Sequence, residues 1–168
     1  MINGRWGLVA VAAAEFVAVD YDDGHTTLGD LRLPVDEFNR RWLAGEPLGA
    51  EPPFAPLTGL TLTVDGASFT ETGAAEVPWF DDEGVLEPAA RPFDGTLATS
   101  PAGVFLLTEE GRQASVFADA GELHLRCDDG DTAITDLVTV EHDELRRTMS
   151  VITDEMYPSR IRLTYRRI

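Results

Sequence analysis

Residues 60–70 read Leu60-Thr61-Leu62-Thr63-Val64-Asp65-Gly66-Ala67-Ser68-Phe69-Thr70. Apolar and hydroxyl side chains alternate up to Asp65-Gly66 and alternate again after it. An Asp-Gly pair between alternating runs marks a two-residue β-hairpin, because the turn needs positive φ at its centre. Pairing Val64 with Ala67 sets Leu62 opposite Phe69 on a dry face. The threonines and Ser68 then share the wetter one.

The same punctuation recurs at Asp23-Gly24, Glu110-Gly111, Ala120-Gly121, Asp129-Gly130 and Glu141-His142-Asp143. The later turns fall about ten residues apart, the spacing of an antiparallel meander. Candidate strands cover 5–13, 15–22, 25–32, 57–65, 67–73, 93–99, 102–108, 113–118, 122–127, 132–140, 144–152 and 159–167. So many short strands with little helix make the chain all-β, a barrel or a sandwich. A meander of about 8–10 strands favours the barrel, since closure removes exposed edges. One short helix is expected over residues 35–44. It has Asp36 and Glu37 early, Arg40 and Arg41 late and Gly45 as a stop, with Val35, Phe38 and Trp42 on one stripe. That helix is either a lid or plug over a cavity or a surface helix packed on the barrel. The longest irregular stretch, 73–92, carries the pair Trp79-Phe80, which either gates a cavity or pins the loop to the barrel.

Length and charge bound the rest. The chain of 168 residues has the size of one domain, 1–168, and 43% apolar residues suit a folded core. Thirty acidic residues against 13 basic ones give a net charge of −17, and every basic residue is arginine. Schiff-base and P-loop lysine chemistry is therefore excluded. Nucleic acid and anionic membrane surfaces are expected to be repelled. No apolar run approaches the length of a membrane-spanning helix. Cys127 is the lone cysteine, so no internal disulfide can form, which fits a reducing, cytoplasmic location. Arg5 followed by Trp6–Ala14 mimics a secretory leader, but it is short, carries one charge and reads as a strand.

The last hairpin carries the most specific chemistry. In 159–167, Ile161, Leu163 and Tyr165 share one face, while Arg160, Arg162, Thr164 and Arg166 share the other, most simply in solvent. In 144–152, Arg147 falls among Leu145, Met149 and Val151 on the apolar face. Pairing Ile152 with Arg160 sets Arg147 opposite Tyr165, both pointing inward. A buried guanidinium is costly unless paired. One reading makes Arg147 and Tyr165 a polar anchor for a ligand carboxylate or polarised oxygen at the end of an apolar pocket. The other pairs Arg147 with an internal acid such as Glu71 or Asp136, or stacks it on an aromatic ring. A one-residue slip would turn Arg147 outward.

Gly4-Arg5-Trp6 resembles the Gly-x-Trp opening of the lipocalins. The arginine-rich final strand resembles the place where lipocalins and related barrels set an arginine against that tryptophan. The fatty-acid-binding proteins are similar ten-stranded barrels that hold carboxylates by internal arginine and tyrosine. The resemblance rests on Gly4, Trp6, Arg147 and Tyr165. The chain departs from it by lacking a disulfide pair and an arginine-x-tyrosine ending, because Arg162 and Tyr165 are three apart. It implies a calycin-like fold and a ligand cavity, not a named ligand.

Other chemistry fails on spacing. His25 and His142 fall in turns, and His124 alternates outward. No pair has metal-ligand spacing, and no metal or cofactor is expected. Glycine motifs for hydrolases and dinucleotides are absent. Three functional readings remain. The first is a barrel binding a small apolar or amphipathic molecule, lined by Trp6, Trp42, Leu62, Phe69, Trp79 and Met149 and anchored by Arg147 and Tyr165. The second is a cofactor-free cyclase, isomerase or decarboxylase of secondary metabolism in the same cavity, with Arg147 and Tyr165 stabilising charge and Glu71 or Asp136 as base. The third is a filled barrel with a structural or interaction role. Oligomeric state is not legible.

Overall fold

The structure is a computed structural model and describes residues 1–14, 19–75, 78–80, 86–88, 94–101, 103–108, 125–128 and 132–168. In chain order the elements are β1 (Gly4–Ala14), β2 (Asp20–Asp22), β3 (His25–Leu28), β4 (Leu31–Pro34), α1 (Val35–Leu43), β5 (Ala55–Pro56), β6 (Leu60–Asp65), β7 (Ser68–Gly73), β8 (Pro78–Phe80), β9 (Leu86–Pro88), β10 (Asp94–Ser100), β11 (Gly103–Thr108), β12 (Leu125–Asp128), β13 (Thr132–Glu141), β14 (Glu144–Thr153) and β15 (Tyr157–Arg167). The expected turns at Glu110-Gly111, Ala120-Gly121 and Asp129-Gly130, the expected strand at 113–118 and the side chains of His124, Trp79 and Cys127 lie outside the described residues.

Eight strands, β1, β6, β7, β10, β11, β13, β14 and β15, run antiparallel to their neighbours and close into a barrel where β11 meets β13. The all-β meander expected from the turn spacing is thus what forms. Its two ends differ. The tight turns β6–β7, β10–β11 and β13–β14 fall at one end, together with the start of β1 and the end of β15. The long connections β1 to β6, β7 to β10 and β11 to β13 leave from the other end, which the short β14–β15 turn shares. The expected strand 25–32 is two strands, β3 and β4, and with β2 they form a small separate sheet. Within the stretch read as irregular, β8 and β9 pair.

Both diagnostic hairpins keep their facing and change their register. In the first, Val64 pairs with Phe69, and Leu62 with Glu71. The turn residues are Gly66 and Ala67, and Gly66 takes φ 59°, a conformation glycine adopts without strain. In the last hairpin Ile152 pairs with Pro158, so Arg147 lies opposite Leu163, and Tyr165 opposite Leu145. Each expected pairing was off by two residues. Because side chains alternate with period two, an even displacement leaves the inward set unchanged.

The inward side chains form the main core, which includes Trp6, Leu8, Leu62, Val64, Phe69, Leu106, Val138, Leu145, Met149 and Tyr165. A β-bulge at Val9 breaks the alternation of β1, and Val11 rather than Ala10 rejoins that core. A second cluster lies outside the barrel. Phe38, Trp42 and Leu43 of α1 pack with Leu48 and Ile152, flanked by Leu28, Leu31 and Leu33. The Phe38 and Trp42 rings stack at 5.9 Å, one helical turn apart. The helix is therefore a surface helix packed on the barrel wall.

Candidate functional site

Inside the barrel, Asp136 of β13, Arg147 of β14 and Tyr165 of β15 project from three neighbouring strands. Glu71 projects from β7, which stands four strands away around the ring in either direction. Arg147 therefore reaches across the barrel. Its Nε donates to Asp136 Oδ1 and its Nη2 to Asp136 Oδ2, both at 2.8 Å, the bidentate fork that a guanidinium suits. Its Nη1 donates to Glu71 Oε1 and, at 3.4 Å, to the Tyr165 hydroxyl.

The four side chains sit in dry surroundings. Asp136 and Tyr165 are 0% exposed, Arg147 1% and Glu71 5%. Burial pulls the Arg147 guanidinium down, but the charges of Asp136 and Glu71 outweigh it and hold Arg147 well above its ordinary value. Burial pushes the Tyr165 hydroxyl up, the nearby Arg147 cation opposes it, and the net position is about 12. Two carboxylates around one guanidinium leave the cluster formally negative, so what it attracts is a cation or a hydrogen-bond donor.

All four candidate catalytic residues thus meet at one place, through an acid-paired arginine. Trp6, Leu62, Phe69 and Met149 surround them in the same core. Trp42 does not join them. It lies outside the barrel, where its Nε1 donates to the carbonyls of Val151 and Ser159 at 3.2 and 3.1 Å. The side chain of Trp79 is outside the described residues.

Two other arginines of β15 lie over indole rings, and the first departs from the sequence reading. Arg160, placed in solvent by the alternation, is 7% exposed because α1 and the segment after it cover that part of β15. Its donors meet Ser150 Oγ at 2.9 Å, the Glu46 carbonyl at 2.7 Å and the Trp42 carbonyl at 2.7 Å, and its guanidinium lies 3.8 Å over the Trp42 ring. Burial and the neighbouring Arg162 charge lower it to about 9, against a weaker upward pull from Glu51 and Glu46. Arg167 lies 4.2 Å over the Trp6 ring and donates to the carbonyls of Asn3 and Met1. A side chain at Gly4 would come within 2.6 Å of Arg167 Nη1, so the glycine two residues before the tryptophan makes room for this stacking. The lipocalin resemblance implied an arginine of the final strand against Trp6 without saying which, and Arg167 is the one that stacks there.

Among the described residues, no group of three or more His, Cys, Asp or Glu is placed to hold a metal ion, and no helix is long and apolar enough to cross a membrane. No protein-family model, curated protein or solved structure matches the chain.

Proposed function

We propose that this is a calycin-like binding barrel for one small apolar or amphipathic molecule, taken in from the end that carries the long connections. The observation that carries the reading is the buried Arg147–Asp136–Glu71–Tyr165 cluster inside an apolar barrel. Stability alone gives little reason to keep it, since an apolar set of similar volume is often as stable or more so. A few converging polar groups on an apolar wall are what a small-molecule site requires. Long loops on a rigid frame are where binding residues concentrate. The cluster would act as a polar floor. Because its guanidinium is occupied by two carboxylates, the favoured ligand carries an amine or hydroxyl rather than the carboxylate or polarised oxygen expected from sequence. With one cysteine and no disulfide, we place the protein in the cytoplasm. The closed packing around the cluster favours a second reading, a filled barrel without a ligand.

The test separates the two. Dodecylamine, dodecanol and dodecanoate are titrated into protein carrying Trp42→Phe and Trp79→Phe, so that Trp6 emission reports the barrel. Saturable one-to-one binding of the amine and alcohol, weaker for dodecanoate and reduced for the amine in Glu71→Gln, supports the binding barrel. Flat titrations with all three, and no co-purified mass in native mass spectrometry, leave the filled barrel.

A further inference from the structure

The outer face of the same hairpin carries an independent feature. Six of the chain's 13 basic residues lie on β14 and β15, in a protein of net charge −17. Arg146, Arg162 and Arg166 point away from the barrel and line a groove of about 770 Å³ between the sheet and the segment that follows α1. Cross-strand pairing sets Arg146 beside Thr164, and Arg162 beside Thr148, so the cations occupy diagonal positions on one face. Like charges so close repel unless an anion lies between them.

The groove's acids are already engaged. Glu144 accepts from Arg146 Nε at 3.0 Å, and Glu51 pairs with Arg162 Nη1. Arg162 Nε is buried and has no hydrogen-bond partner among the described residues. A buried guanidinium N–H without an acceptor costs more than one satisfied by an oxyanion. The lining also has apolar members: Phe54, 48% exposed, from the segment after α1, and Val9 and Leu137 from the sheet.

We propose that this groove binds a small molecule joining an oxyanion, carboxylate or phosphate, to an apolar body. The planar guanidinium fork matches both oxyanions, and Phe54 supplies a face for the apolar part. The volume lies within the roughly 300–1,000 Å³ of small-molecule sites. The site shares strands with the barrel interior but lies on the opposite face, so it stands or falls separately from the binding-barrel reading.

Calorimetric titrations with phenyl phosphate, benzoate, inorganic phosphate and benzyl alcohol at low salt test it. The expected result is that phenyl phosphate binds more tightly than inorganic phosphate or benzyl alcohol. Arg146→Gln and Arg162→Gln should each weaken it about tenfold, and exposed Arg32→Gln on β4 should leave it unchanged. Should Arg162→Gln fail to fold, the largely exposed Arg146 decides the matter alone. Glu71→Gln, inside the barrel, should leave this binding intact. Absence of binding by both phenyl phosphate and benzoate at millimolar concentration overturns the proposal, as does binding that neither groove variant weakens.

Discussion

Arg147 and Arg160 are both buried on the last hairpin, and the protein satisfies them by opposite means. Arg147 lies within the barrel among apolar side chains and is held by two carboxylates. Arg160 lies outside, beneath α1, and is held by two carbonyls, a hydroxyl and an indole face. The carboxylates drive the first guanidinium upward. Neutral acceptors do not offset desolvation, and the second falls to about 9. The difference shows what each arginine does mechanically. Arg147 ties opposite walls of the barrel together, whereas Arg160 fastens a helix to one wall.

The contrast can be broken most sharply at Arg147. Arg147→Met should cost about 3–5 kcal/mol in urea unfolding, because it takes the cation away from two buried carboxylates. Adding Asp136→Leu and Glu71→Met should recover most of that loss. A single substitution as mild as the triple one would mean that the pairing does not matter. Next is Tyr165. In the unfolded chain its hydroxyl ionises near the ordinary 10, and in the folded state at about 12. Its contribution is therefore complete below pH 10 and lost as pH rises from 10 to 12. The shift is worth roughly 2–3 kcal/mol. Stability measured across that window should fall less in Tyr165→Phe, and ultraviolet titration should show a late tyrosine that this substitution removes.

Arg160→Met should cost less than Arg147→Met, roughly 1–3 kcal/mol, since it strands carbonyls rather than charges. Loss of the helix signal before the barrel unfolds would confirm that it fastens α1. The smallest effect belongs to Arg146→Gln. Its ion pair with Glu144 is mostly exposed, so thermal melting should move by no more than a degree or two.

What sequence could reveal follows from the period of two. Facing is a parity, so Leu62, Phe69, Arg147 and Tyr165 were placed inward even though both turn registers were displaced. The candidate acids Glu71 and Asp136 were legible because each falls on an apolar strand face. That Arg147 would take both was not, because β7 reaches β14 only when the ring closes. Arg160 was misplaced for a related reason. Alternation assigns it to the outer face, but nothing local says that a helix over a hundred residues earlier covers that face. The bulge at Val9 was invisible too, because Leu8–Ala14 is uniformly apolar and offers no alternation to break.

The ring's closure is uneven. β13 joins β14 through an unbroken ladder from Thr132 to Glu141, but among the described residues its other edge meets β11 at Val138 and Leu137, and β12 takes over from Thr135 to Ala133. That shared edge is the seam along which the cylinder would first unzip. Amide hydrogens at that seam, along Val104–Phe105, should exchange with deuterium ahead of those along β14, marking where the wall first parts.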